Sequence, residues 1–513
     1  MKRIAIIGGG IAGLSAAWTL EKARRASSGG AEALEYHLYE AADRLGGVIR
    51  SEIVDGCVVE GGPDSFLTEK PAAAALCREL GIEDQLLPSN DAERKTYIVV
   101  KNRLVPLPDG LMFMVPTKLI PTALTPLFSW STKLQMAREF LFPPAPATED
   151  ESVADMTRRH FGQETVDRLV SPLLSGVYGG DASQLSVRAV LPRMVTMEKE
   201  HRSLTRAMLA ARKRMRAHQP GAAPSAPPSK AGSSANGSRV GSRSLFTTLR
   251  GGMKLMADGI AAQLAPGSIH LSTPVQALHH NSDDCRDPRP SDCRYSCGWT
   301  LETSPGKEKF DGVVLALPAW AVAHLLRPVD RLTSSLLSEI PYSSSVTVTL
   351  GYHRSELESL PLGFGYLVPP TEKRSMLACT FVHNKFAGRT PHDKGVLRCF
   401  LGGSGNESLL DATDEELTTI VRKELSEILG LQAKPTFVRI TRSRRAMAQY
   451  GVGHLERTQA IRENVAALPA LALAGNAYDG IGVPDCIRTG QQAAEAVLRS
   501  LQEQPEAMTA SGR

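Results

Sequence analysis

Aromatic residues are only 5% of this 513-residue chain, cysteines number eight, and no apolar run approaches the roughly 18 residues that a membrane-spanning helix needs. The missing run excludes a helical membrane protein. The chain opens directly on a strand-like segment, without the apolar core of a secretory signal, so it is expected in the cytoplasm. Cysteines this sparse exclude a disulfide scaffold and are expected as free thiols. Cys285, Cys293 and Cys297 fall close together, but no second pair at zinc-finger spacing accompanies them. They read as a variable surface loop, and no metal is expected. Strong charge of either sign is also lacking: the formal net charge is +5, spread along the chain, which argues against nucleic acid as a partner.

What is present is an ordinary globular composition, 42% hydrophobic and 22% charged, in a chain long enough for two or three domains. Lys2–Ile7 reads as a short buried strand, residues 8–13 as a tight glycine turn, 14–25 as an amphipathic helix and 35–40 as a second strand. This is a βαβ opening. Residues 104–146 change to apolar clusters broken by prolines, and 151–216 carry helical periodicity ending in a basic stretch. Residues 217–244 are Pro, Ser, Gly and Ala with almost nothing apolar, the composition of a disordered insertion. Strand-like segments dominate from about 325 to 430, and a strand at 471–474, a glycine turn and a helix from about Asp485 close the chain.

The expected fold combines α/β and α+β parts. A Rossmann-like domain is assembled from 1–100, 245–325 and 432–505; a helical domain spans 101–216; a mixed β-sheet substrate domain spans 326–431; and 506–513 form a tail.

Gly8, Gly10 and Gly13 form G-x-G-x-x-G between strand and helix, with Gly9, Ile11 and Ala12 completing the turn. Such a turn lets a pyrophosphate approach a helix N-terminus, where unpaired N–H groups and the helix dipole favour negative charge. Glu40, at the end of the second strand, is placed to accept hydrogen bonds from ribose hydroxyls, although an insertion at 27–34 lengthens the spacing. Arg44, Leu45, Gly46 and Gly47 follow at once and resemble the D-R-x-G-G element of flavin amine-oxidase-like proteins. Both elements in one chain favour FAD over NAD. At the far end, Gly475 and then Ile481, Gly482 and Val483 open the last helix, whose N-terminus would favour the negative charge of a reduced flavin.

Longer motifs carry a family resemblance. Residues 60–67 (EGGPDSFL), 171–181 (SPLLSGVYGGD), Gln449-Tyr450 with Gly453-His454, and 480–485 with Cys486 resemble the oxygen-dependent protoporphyrinogen and coproporphyrinogen oxidases, over nearly the whole chain outside 217–244. The resemblance implies FAD held also by Gly61, Gly62, Pro63, Asp64 and Val275, and a porphyrinogen oxidised to a porphyrin in haem biosynthesis. Six electrons would leave in three flavin cycles, with dioxygen as acceptor and hydrogen peroxide as product. Because the flavin takes the hydride, no catalytic protein side chain is expected; the protein orients the macrocycle and excludes water.

Gly176 and Phe386 occupy positions that line the substrate pocket in the resembled family, and Lys70 reads either as a partner for a substrate carboxylate or as a solvated loop lysine. Asp64 stands where many eukaryotic members carry arginine, which is similar to the bacterial branch acting on coproporphyrinogen III; protoporphyrinogen IX is the alternative. Ser443 stands where several relatives place a tryptophan beside the flavin. The 104–146 segment matches the family's membrane-docking region, and Lys199, Arg202, Arg206, Arg212, Lys213, Arg214 and Arg216 could add attraction to anionic lipid at the inner face of the cell membrane. A substrate channel or dimer contact is the other reading of that segment. A homodimer and a transient contact with ferrochelatase complete the partner expectations. The rival functions are a flavin amine oxidase and a flavin- or porphyrin-binding protein without turnover. Cys486 raises a covalent flavin, against which its place at the helix start favours a buried small residue.

Overall fold

The computed structural model describes residues 1–26, 33–108, 111–112, 115–116, 119–217, 244–281, 298–403 and 405–510. The interior of the 217–244 insertion, the loop with Cys285, Cys293 and Cys297, most of the 27–34 insertion and the end of the tail lie outside these residues.

Lys2–Ile7 is buried along most of its length and lies at the centre of a five-stranded parallel sheet. Leu34–Tyr39 and then Ile269–His270 lie on one side, Gly312–Leu315 and then Leu471–Leu473 on the other. Near-continuous apolar runs such as 4–7 and 312–315 suit a sheet covered on both faces. Three separated stretches of chain supply these strands, as the Rossmann-like reading requires. The helix Ile11–Ala26 packs on the final helix, Val483–Ala510, so closely that a Cβ at Gly490 would stand 2.0 Å from the Ala12 carbonyl oxygen. The central strand's neighbours, Leu34–Tyr39 on one side and the much later Gly312–Leu315 on the other, make a switch point at its carboxyl end, where open α/β sheets hold ligands.

A second, seven-stranded sheet runs in the order Phe437–Ala448, Tyr342–His353, Lys394–Gly402, Met376–Phe381, Gly365–Leu367, Thr96–Val100 and Arg103–Pro106. Its pairs are antiparallel except that of Thr96–Val100 with Gly365–Leu367. The helix Asp414–Leu429 covers one face through Leu417, Val421 and Leu425. The sheet draws its outer strands from 96–106 and 437–448, stretches the sequence reading gave to other domains, because those strands pair with edges that 326–431 alone would leave open. The domain division we propose moves both stretches to this sheet.

The helical part is built on Trp130–Leu141, Val153–Phe161, Pro192–His201 and Leu204–Ala217. His160, fully buried, binds Glu139 through Nδ1 at 3.0 Å and Glu198 through Nε2 at 2.9 Å, while Glu139 also accepts from the Ser203 hydroxyl and the Leu204 N–H. One polar knot therefore ties all four helices. On the outside, Ile120, Leu124, Trp130, Leu134, Leu141 and Phe142 are exposed, Trp130 by 77%. No helix of the described residues is long and apolar enough to cross a membrane.

Candidate active site

The glycine turn closes on the sheet's central strand. A Cβ at Gly13 would lie 1.9 Å from the Gly8 carbonyl oxygen, so this glycine serves the contact between helix and strand. Gly10 differs: a Cβ there would meet nothing within 4 Å. The turn thus leaves open space at the helix N-terminus where Ile11 and Ala12 begin the first turn, which is the room a pyrophosphate needs. Glu40 accepts from the Gly9 N–H at 2.6 Å and the Ala42 N–H at 2.8 Å, which fixes its carboxylate beside this space. Gly46 donates to the Gly9 carbonyl at 2.8 Å, and Gly10 and Gly46 form a parallel bridge, so the two glycine elements make one cradle. The Arg44 guanidinium donates to the carbonyls of Leu45 (3.0 Å), Ile49 (3.2 Å) and Gly47, bracing that loop from within.

Val275 begins a strand just after Thr273, whose N–H donates to the Glu40 carbonyl at 2.9 Å. Gly475 follows the strand Leu471–Leu473 and donates to the Thr489 hydroxyl of the last helix. Ile481 and Gly482 precede that helix and Val483 begins it, two residues before the start near Asp485 expected from the sequence. Asp485, in its first turn, accepts from the Gly482 N–H at 3.2 Å. These residues fit a dinucleotide laid from the first helix to the last.

Gly61 donates to the Arg50 carbonyl at 2.8 Å, and a Cβ at Gly62 would stand 1.9 Å from the Val48 carbonyl oxygen, so Gly61 and Gly62 follow the 44–50 loop closely. After Pro63, Asp64 meets two buried cations from the second sheet: Lys385 at 3.2 Å and Arg398 at 3.7 Å. Burial alone would raise the Asp64 carboxyl, but Lys385 and Arg398 outweigh it and hold the group well below the usual carboxylate range. Arg398 also donates to the Gly62 carbonyl. Sequence reasoning missed both cations. The adjacency of Lys385 to Phe386 was a usable signal; nothing local marks Arg398.

The substrate candidates are spread. Gly176 lies on an exposed turn of the helix Ser171–Tyr178, its α-carbon facing Leu367 of the second sheet. Phe386 is buried, with the Lys385 ammonium 5.0 Å from its ring centroid, so it backs that lysine and offers almost no surface to a pocket. Lys70 donates to Asp485 at 2.6 Å, tying the 60–70 loop to the last helix, and is neither solvated alone nor unengaged. Ser443 pairs with Ser345 in the sheet; two positions on, Arg445 lies over the Trp320 ring at 4.7 Å. Desolvation pushes the Cys486 thiol up to about 12, far from a reactive thiolate.

The profile of the family described as flavin containing amine oxidoreductase matches residues 11–498. A coproporphyrinogen III oxidase of Bacillus subtilis (strain 168) is 32% identical over 98% of this chain and 98% of its own. Protoporphyrinogen oxidase 2, chloroplastic/mitochondrial, of Arabidopsis thaliana is 28% identical over 98% of this chain and 94% of its own. A crystal structure from Exiguobacterium sp. 255-15, provisionally named a protoporphyrinogen oxidase, superposes with a TM-score of 0.81 at 30% identity over 98% of this chain and 99% of its own. The family implies a flavin cofactor. The chain belongs to the flavin containing amine oxidoreductases and, within them, to the coproporphyrinogen and protoporphyrinogen oxidases.

Proposed function

We propose that this protein oxidises a porphyrinogen to the porphyrin in haem biosynthesis, with FAD as its flavin, dioxygen as acceptor and hydrogen peroxide as product. The observation that carries this reading is the near-full-length similarity to a coproporphyrinogen III oxidase, which extends past the cofactor segments into the second sheet and the helices. A bound flavin supplies the hydride acceptor; the chain's own residues bind, orient and exclude water. Glu40 takes the ribose hydroxyls, the open turn at Gly10 and the first helix take the pyrophosphate, and Ile481–Gly482–Val483 present the last helix's N-terminus. Lys70, held by Asp485 through one N–H, keeps further donors for a substrate carboxylate. Gly176 supplies a wall without a side chain. Coproporphyrinogen III is the proposed substrate, with protoporphyrinogen IX second. The exposed face from Ile120 to Phe142 is proposed to rest in a lipid interface, with Lys133 over Trp130 and Arg206 over Phe140 placing cations beside these exposed rings.

The test is aerobic turnover by the purified flavoprotein with coproporphyrinogen III and protoporphyrinogen IX in parallel, following porphyrin fluorescence and peroxide. We expect both signals, faster with coproporphyrinogen III. A protein with reducible flavin that oxidises neither, but releases peroxide with an amine, would overturn the reading.

A further inference from the structure

The Gln449-Tyr450-x-x-Gly453-His454 turn has no role in the binding scheme above, yet it meets more separate parts of the molecule than any other short turn near the site. The Tyr450 hydroxyl donates to the Asn476 carbonyl and accepts from the Gly480 N–H, both at 2.8 Å. It thereby spans the loop that leads from the parallel sheet into Ile481–Gly482–Val483. Gly480 takes φ +111°, open to a glycine, and a Cβ there would meet the Asp485 carboxyl carbon at 2.5 Å, so the loop passes close over the helix start. Behind the phenol, His454 is fully buried and stacks on Tyr450 with centroids 4.0 Å apart and planes at 14°. Neither imidazole nitrogen has a side-chain partner. Burial, with Arg457 and Arg462, pushes the ring down to about 4, so it backs the phenol as a neutral plate.

The other end of the turn grips the helical part. The Gln449 amide donates to the Tyr178 carbonyl at 2.8 Å and to the Ser343 hydroxyl at 2.9 Å. The backbone of 450–453 bonds to Ser186, Gln184 and the Asp150 carboxylate. Tyr178 ends the helix that carries Gly176.

We propose that Tyr450 is a positioning residue for the flavin, holding the 476–483 loop so that the positive end of the last helix, at the Val483 N–H, faces the negative charge of the reduced form, while Gln449 sets the substrate wall from the same turn. The flavin part rests on the family's cofactor alone; the substrate part rests on the porphyrinogen reading. N–H groups fixed in this way stabilise the reduced cofactor more than the oxidised one. Releasing them therefore lowers the potential more than it weakens oxidised-flavin binding.

The experiment compares Tyr450→Phe and Gln449→Met with the unaltered holoprotein, measuring midpoint potential without substrate, FAD affinity of the apoprotein, and steady-state kinetics. Tyr450→Phe is expected to shift the two-electron reduction equilibrium about tenfold against the reduced form, about 30 mV, with FAD affinity changed by less than about threefold. Gln449→Met is expected to leave the potential in place and raise the KM for porphyrinogen severalfold. An unmoved potential in a folded, flavin-loaded Tyr450→Phe protein overturns the proposal. Should that variant not fold, the His454 pair decides: His454→Ala must lower the potential and His454→Phe, which keeps the plate, must not; equal potentials overturn it. Because the potential is read without porphyrinogen, failure here is distinct from failure of the substrate assignment.

Discussion

Asp64 shows how a single side chain takes its meaning from residues far along the chain. Alone it is a carboxylate beside a glycine loop; in the fold it is the shared counter-charge of Lys385 and Arg398, both buried. Two cations on one acid leave the local balance positive, so the 61–64 loop lies in a field that favours an anion. Gly10 illustrates the opposite economy, a position valuable for what is absent. Since a Cβ at Gly10 would touch nothing, Gly10→Val is expected to fold with a thermal midpoint close to that of the unaltered chain yet purify colourless, its side chain filling the pyrophosphate's room. Flavin-to-protein absorbance and a melting curve read both halves; a yellow, fully loaded variant would refute the cradle. The strand, glycine turn and helix over 2–26 were legible in the sequence because they follow one another locally. Arg398 was not, because it reaches Asp64 only through folding, and the same holds for Lys385 apart from its place beside Phe386.

Among elements, the four helices around His160 depend on one imidazole. Burial alone would lower its pKa, but Glu139 and Glu198 on its two nitrogens raise it. His160→Leu would leave the buried Glu139 carboxylate without its imidazole partner, while Glu198 keeps Arg159, and is expected to cost about 3–5 kcal/mol, read as a lower urea midpoint. Replacing all three of His160, Glu139 and Glu198 by apolar residues of similar size should recover most of the loss; a single variant as stable as the parent would show that the knot holds nothing. The raised pKa fixes the sign with pH: this contribution is full below the unfolded value near 6.5 and fades as pH rises through the folded one. Strands and helices with a clean period, such as Lys2–Ile7 and the body of the last helix from Asp485, could be read from sequence, although that helix runs on to Ala510 through residues expected in the tail. The pairing of Thr96–Val100 with Gly365–Leu367 could not, because a parallel neighbour so distant in the chain leaves no local trace.

For the whole molecule the acid side is governed by histidines buried neutral. His383 and His454 are each pushed down to about 4, His383 by burial and Arg354, His454 by burial and its arginines. Between pH about 6.5 and about 4 the unfolded chain binds these protons and the folded chain does not, so stability falls as pH falls across that window. Each group contributes at most about 1.4 kcal/mol per pH unit. Urea midpoints at a series of pH values should show the decline, and His454→Phe should flatten it; an unchanged slope in that variant would remove His454 from the account.

The parallel sheet, described above by its spatial order, also sets a timetable. The glycine loop is synthesised long before the strand Leu471–Leu473 can join its sheet and Val483 can join the same crevice. Until then the edge beside Gly312–Leu315 has no permanent neighbour, and the contacts that close it span most of the chain, which makes them slow to form. Flavin arriving before them would find half of the proposed site, so cofactor capture waits for Leu471–Leu473 and the helix that follows, and a chain cut before these elements would lose colour before it lost most of its structure.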